Sequence, residues 1–166
     1  MFYTKFETTL CPMILVGDED GIQQLYLCDV QGSHRDFEIA EGWQRVPEAF
    51  AEARHQIQQY LAGERQTFDL VLNPKGTEFQ RSVWRALCDI PYGDTCSYKN
   101  IAEALASPKA CRAVGAANGK NPIPLIVPCH RVVGSNGSLT GFAFGVELKR
   151  QLLALESSGP AQGDLI

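Results

Sequence analysis

The run Asn121-Pro122-Ile123-Pro124-Leu125-Ile126-Val127-Pro128-Cys129-His130-Arg131-Val132-Val133 constrains this chain more than any other stretch. Its prolines fix their own φ and remove amide donors from both sides of an apolar segment. The run therefore reads as a rigid, buried, strand-like approach to one reactive atom. That atom is the Cys129 sulfur. No metal-ligand spacing surrounds it, and a thiol beside an imidazole is a candidate nucleophile with its base. One geometric difficulty follows. Adjacent residues of an extended chain point to opposite faces, so His130 reaches Cys129 only around a bend or through a water.

Length and composition narrow the setting. The chain has 166 residues, 45% of them hydrophobic, enough for a core without a disulfide scaffold. No apolar run approaches the roughly 18 residues of a membrane span, and Met1-Phe2-Tyr3-Thr4-Lys5 does not open a secretory signal. The expectation is a cytoplasmic protein with no membrane partner. Six cysteines occur at irregular spacing, without a Cys-x-x-Cys pair. They read as reduced thiols. Cys11, Cys28, Cys88 and Cys96 are expected to be small buried hydrophobes.

Charge is unevenly divided. Net charge is −4, yet residues 75–150 carry ten Lys and Arg against five Asp and Glu. Residues 1–74 carry five basic residues against twelve acidic ones. Such asymmetry suggests that the second half faces phosphate and the first does not.

Periodicity divides the chain in the same place. Phe2, Thr4 and Phe6 alternate with polar neighbours, and 22–28 forms a second candidate strand. From Pro47 to Gly63 the spacing of Phe50, Ala53, Ile57, Tyr60 and Leu61 predicts a helix, with Pro47 in its first turn. Phe68, Leu70 and Leu72 alternate again. Asn73-Pro74-Lys75-Gly76 marks a boundary, and Thr77 with Gln80 predicts a capping box. A short helix from Ser97 and another opened by Ser107-Pro108, running to about Asn118, give a helix-turn-helix reading. Asn136-Gly137 signals a hairpin between 131–133 and 138–140. A last helix follows Gly145. The domains are expected at 1–76 (a supporting α/β domain) and 77–156 (the domain carrying the site), with 157–166 a loose tail.

These residues carry a resemblance. The 121–133 run resembles the active-site signature of the O6-alkylguanine-DNA alkyltransferases, the methylated-DNA–protein-cysteine methyltransferases. Phe79-Gln80-Arg81-Ser82-Val83-Trp84, Ile90-Pro91-Tyr92-Gly93, Ser97-Tyr98, Arg112-Ala113-Val114-Gly115 and Lys149-Arg150 with Leu152, Leu153 and Glu156 extend it in register. The resemblance implies a ribonuclease-H-like α/β N-terminal domain and a mostly α, winged helix-turn-helix C-terminal domain. It implies direct-reversal DNA repair: an alkyl group moves from O6-alkylguanine, or O4-alkylthymine, irreversibly to Cys129, once per molecule. The partner is double-stranded DNA containing the lesion, the protein is a monomer, and no cofactor is needed.

Residue roles follow from the same resemblance. Cys129 is the acceptor. A water links it to His130, which Glu156 orients, and Asn121 braces the segment. Tyr98 helps rotate the target nucleotide, and Arg112 fills the space it leaves. Ala110, Ala113 and Gly115 belong to the small-residue helix that the family lays in the minor groove. Lys99, Ser107 and Ser135 contact the DNA backbone. Tyr98, Cys129, Val132, Phe142, Ala143 and Phe144 line the lesion pocket. Phe142 lacks the hydroxyl of the family's usual tyrosine, and Phe144 stands where glycine is usual. Phe144 is expected to narrow the pocket against bulky groups. Some relatives hold a structural zinc, but Cys11, Cys28 and His34 do not match its ligands, and no metal is expected. The competing readings are a lesion sensor without catalysis, which the presence of Cys129 disfavours, a transcriptional regulator and a cysteine hydrolase. The small-residue helix offers few groups for reading base edges, and the proline-enclosed thiol shows no oxyanion-hole loop.

Overall fold

A computed structural model describes residues 1–29, 37–139 and 144–157. The chain divides into two compact units, Met1–Lys75 and Gly76–Ile166.

The first unit is built on a four-stranded mixed sheet. Its strands are β1 (Phe2–Phe6), β2 (Met13–Asp18), β3 (Gly21–Leu27) and β4 (Gln44–Arg45), in the order β3-β2-β1-β4. β2 pairs antiparallel with both β1 and β3, while β1 and β4 run parallel. Met13 to Val16 are all fully buried. A central strand covered on both faces needs no polar alternation, so periodicity does not reveal β2.

Helix α1 (Ala51–Leu61) buries Ala53, Gln56, Ile57 and Tyr60. It starts later than the Pro47 expected from the sequence. The Pro47 carbonyl accepts from Thr4 Oγ1 at 3.0 Å, and Phe50, at φ 57°, stacks its ring on Phe2 at 5.3 Å. Those tertiary contacts hold 47–50 as a turn. The helix stops as expected, before Gly63 at φ +79°, a conformation glycine adopts without steric penalty. The strand expected at Phe68, Leu70 and Leu72 reduces to one bridge, Ile22 with Leu72. Gln56 takes the Asp69 backbone instead: its Nε2 donates to Asp69 O (3.2 Å) and its Oε1 accepts from Asp69 N (2.9 Å).

The second unit is mostly helical. Its helices are α2 (Glu78–Cys88), α3 (Tyr98–Ala104), α4 (Cys111–Gly119) and α5 (Val146–Ser157). The expected capping box starts α2: Gln80 N donates to Thr77 Oγ1 and Thr77 N to Gln80 Oε1. Gly76, just before it, is required by packing. A Cβ there would lie 2.5 Å from the Trp84 ring. Trp84 in turn donates its indole N–H to Ala117 O of α4 at 2.9 Å. A second capping box, Ser97 with Asn100, starts α3.

Several local expectations are corrected. Helix α4 begins at Cys111, since Ser107 Oγ bonds back to Leu105 O and caps nothing ahead of it. Strand β6 (Val132–Val133) pairs in parallel with β5 (Cys96–Ser97), so its partner is not 138–140. A tight turn remains at Asn136-Gly137, closed by Gly134 N to Ser138 O at 2.9 Å. Cys88 is exposed and Cys96 half-buried, so the buried reading holds only for Cys11 and Cys28. Ser157 belongs to α5, and Thr140 and residues beyond 157 lie outside the described residues. Among the described residues, no helix is long and apolar enough to cross a membrane.

Candidate active site and nucleic-acid interface

The proline run is buried throughout, from Ile123 to Val132, but it is not a strand. Prolines cannot ladder, so the segment satisfies its backbone through turns. Val127 N bonds to Ile123 O and Ile126 N to Pro124 O, both at 2.9 Å, and Leu125 turns the chain at φ 71°. Asn121 ties the two ends together. Its Oδ1 accepts from Ile123 N at 3.0 Å and its Nδ2 donates to Val127 O at 2.8 Å. The run ends in a 3-10 turn, Cys129–Arg131. Cys129 and His130 therefore sit on a bend and not on an extended strand.

This turn packs on α5. His130 is fully buried, and its Nε2 lies 2.7 Å from Glu156 Oε2. A carboxylate only accepts, so Nε2 carries the hydrogen. Glu156 is 4% exposed, far from a solvated helix-end carboxylate. Arg131 joins the same carboxylate through Nε to Oε1 and Nη2 to Oε2, each at 2.9 Å. Lys149 is fully buried as well and donates from Nζ to Val132 O at 2.6 Å. Arg131 and Lys149 were counted above among the basic residues facing phosphate. Both are internal, and the charge reading of 75–150 is corrected by that much.

The electrostatics are those of a dry site. Burial pushes the Cys129 thiol up to about 11, opposed chiefly by a hydrogen bond from Asn121 and by the Lys149 charge. Burial also holds the His130 imidazole below its ordinary range, against the pull of Glu156. Lys149 is likewise lowered by burial, with Cys129 opposing. The thiol thus needs help to ionise, and its ring neighbour is held as a neutral base.

A surface depression of about 370 Å³ gathers Tyr98, Lys99, Cys111, Arg112, Gly115, Gly134 and Ser135. A second, of about 410 Å³, is lined by Ser107, Pro108, Lys109 and Ala110. Arg112 and Ala113 are exposed on α4, while Val114, Ala117 and Asn118 face inward. Helix α4 therefore presents one small-residue face to solvent and packs the other. Gly115 and Gly119 are informative. A Cβ at Gly115 would meet only the Tyr98 ring, at an ordinary 3.9 Å, and one at Gly119 would meet nothing within 4 Å. Neither has a positive φ. The fold leaves room for a Cβ at both, so their lack of one suits something approaching from outside.

The sequence-derived residues fall into three groups. Cys129, His130, Glu156, Asn121 and Val132 share the buried centre. Tyr98, Lys99, Arg112, Gly115 and Ser135 share one depression, Ser107 and Ala110 the other. Phe144 is half-buried, and Phe142, Ala143 and His34 lie outside the described residues. Arg131 and Lys149 were given no role by sequence reasoning. For Arg131 the available signal was a cation beside a long apolar run, which demands a partner; Lys149, on a helix with exposed neighbours, carried none. Among the described residues no cluster of His, Cys, Asp or Glu could hold a metal.

Two family models cover the chain. Residues 1–74 match the ribonuclease-like domain of 6-O-methylguanine DNA methyltransferase, and residues 78–158 match its DNA binding domain. This chain belongs to the 6-O-methylguanine DNA methyltransferase family. It is 49% identical over 158 residues to the methylated-DNA–protein-cysteine methyltransferase of Methanosarcina acetivorans, covering 95% of this chain and 99% of the relative. The constitutive enzyme of that name from Bacillus subtilis is 46% identical, covering 93% and 94%. The crystal structure of Mycobacterium tuberculosis OGT in complex with DNA superposes with a TM-score of 0.87 at 42% identity, covering 99% of both chains. The family fold has a ribonuclease-like N-terminal and a DNA-binding C-terminal domain. This chain builds it with one mixed four-stranded sheet, a small two-stranded one and five α-helices among the described residues.

The depressed His130 has a stability consequence. As pH falls through about 6.5 the unfolded chain protonates this imidazole and the folded chain does not. Folding stability from this group is therefore present above pH 6.5 and is lost below it, at up to about 1.4 kcal/mol per pH unit. In denaturant unfolding from neutral to mildly acid pH, His130→Gln should lose that component of the slope. Equal slopes in the two proteins would contradict the assignment.

Proposed function

We propose that this protein repairs O6-alkylguanine in double-stranded DNA by moving the alkyl group to its own Cys129. The observation that carries the reading is the buried Cys129 on the same turn as a His130 held by Glu156, in a chain whose relatives are named for this transfer. The step is an in-line displacement at the alkyl carbon. The Cys129 proton passes through a water to His130, whose Nε2 donates to Glu156, so Nδ1 is the receiving nitrogen. The sulfur then forms a bond to the alkyl carbon as the carbon–O6 bond breaks. The electron pair leaves with the guanine, and Tyr98 supplies the proton that neutralises it. Lys149 stabilises the thiolate while it exists, and Asn121 does so by hydrogen bonding. No cofactor enters, because the lesion is itself the alkyl donor. The thioether is not opened by thiol exchange, so each molecule acts once.

Access requires the damaged nucleotide to leave the stack, since a thiol this buried cannot reach O6 inside a duplex. In this reading α3 and α4 form the helix-turn-helix and the 132–139 stretch its wing. α4 enters the minor groove with Ala110, Ala113 and Gly115 against the sugar edges, and Arg112 fills the vacated stack. Lys99, Ser107 and Ser135 hold the backbone without reading sequence, as a repair protein requires. Support comes from two depressions, one lined by Lys99, Arg112, Gly115 and Ser135 and the other by Ser107 and Ala110, and from the room left at Gly115. Val132, Phe142, Ala143 and Phe144 complete the lesion pocket with Tyr98. The protein acts as a cytoplasmic monomer.

Turnover count tests the reaction. With excess duplex carrying one O6-methylguanine, repaired DNA should plateau at one equivalent of protein, and Cys129→Ala should give none. Continued turnover would point to a hydrolase, and tight binding without repair to a sensor. Pocket size is tested separately. Phe144→Gly should raise reactivity with O6-benzylguanine on the order of tenfold, with methyl transfer little changed. Unchanged benzyl reactivity would remove Phe144 from the pocket wall.

A further inference from the structure

Glu156 has two buried basic neighbours, and sequence motifs single out only one of them. Arg131 approaches the carboxylate as a planar fork, Nε to Oε1 and Nη2 to Oε2, both 2.9 Å. Its Nη1 donates to Ile90 O at 2.7 Å, and its guanidinium carbon lies 5.7 Å from the Tyr92 ring centre. Gly93 N sits 3.5 Å from Oε1, and Tyr92 O–H bonds to Leu155 O at 3.4 Å. Arg131 is 6% exposed, so its donors are committed inside the protein and not to phosphate. Oε2 is shared between Arg131 and His130.

We propose that Arg131 is a positioning residue, which keeps His130 a neutral, Nε2-protonated base by orienting Glu156 and balancing its charge. The consequence for alkyl transfer rests on the reading of Cys129 as the acceptor; the state of the imidazole does not. A buried carboxylate requires a counter-charge. Two groups could supply it: a guanidinium, which is always charged, or an imidazolium. The bidentate fork meets the requirement and leaves His130 uncharged. A neutral ring whose Nε2–H is fixed on Glu156 has Nδ1 as its basic nitrogen. An imidazolium could not take the thiol proton at all. The charged groups acting on His130 are Glu156 and Lys149 from α5 and Arg131 from its own turn, with Cys129 its chain neighbour and Tyr92 behind the fork. Burial, Arg131 and Lys149 favour the neutral ring, and Glu156 alone favours the charged one. Removing Arg131 takes away one restraint and leaves Glu156 to draw a proton onto His130.

The test is imidazole nitrogen NMR between about pH 5 and 8, on the full chain and three variants. Wild type and Arg131→Lys, which keeps the charge, should hold a neutral Nε2–H ring at neutral pH. In Arg131→Met the midpoint for proton uptake should rise by about one pH unit or more, a tenfold gain in proton affinity. Its methyl transfer should fall about tenfold at neutral pH and recover as pH is raised, with affinity for undamaged duplex unchanged. Arg131→Met combined with Glu156→Gln, which removes both charges, should return His130 to the neutral ring; it also serves if Arg131→Met alone does not fold. The proposal is overturned if His130 titrates alike with and without Arg131. An imidazolium at neutral pH in wild type, Arg131→Lys or the double variant overturns it too. A purely structural role would lower the melting temperature of the variants and leave the titration in place. Absence of methyl transfer in wild type would overturn the reaction itself, and is read independently of the ring.

Discussion

One carboxylate holds the centre of the second unit. Glu156, at the C-terminal end of α5, receives His130 and both arms of the Arg131 fork. Arg131 continues to the carbonyl of Ile90, just beyond α2. Four stretches of the unit thereby meet: the end of α5, the 3-10 turn, the Pro91-Tyr92-Gly93 turn and the exit from α2. Breaking a buried charge pair by removing one partner typically costs about 3–5 kcal/mol. The contact ties the turn that carries the nucleophile to α5.

That architecture carries a conflict between protection and reactivity. Burial excludes water from Cys129 but also raises its pKa to about 11, and only the thiolate is a useful nucleophile. The surrounding groups work against the penalty without abolishing it. Lys149 brings a full charge into the interior, anchored on Val132 O. Asn121 supplies a hydrogen bond while bracing the loop that leads to the sulfur. His130 stays neutral and so can take the proton. A thiol kept mostly protonated until a substrate arrives suits a protein that spends its nucleophile once.

Much of this was legible in the sequence, and the omissions have physical causes. Capping boxes are local, so Thr77 with Gln80 announced α2 to the residue. The Cys129-His130 pair was legible from the residues themselves, and the distant Glu156 only through resemblance, since no spacing rule joins residues 26 apart. The strand-like reading of 121–128 failed because prolines signal rigidity without specifying turn or strand. β2 was hidden because a doubly covered strand has no alternation. The start of α1 was displaced by tertiary contacts from Thr4 and Phe2, and that of α4 by the local bond from Ser107 back to Leu105. Arg131 and Lys149 looked like surface charge because net charge by segment carries no depth.

The exterior of the second unit has a different logic. Cationic and small residues line shallow depressions there, and the glycines of α4 make space that the fold does not use. In the proposed reaction a base leaves the duplex to meet the buried thiol. The most direct measurement follows the carbon itself: reaction with a duplex bearing one O6-methylguanine with an isotopically labelled methyl group, then peptide mass analysis. The label is expected on the Cys129 peptide, one per molecule, and nowhere in Cys129→Ala. Label retained on the DNA, released as methanol, or found on another cysteine such as Cys111 would contradict the transfer.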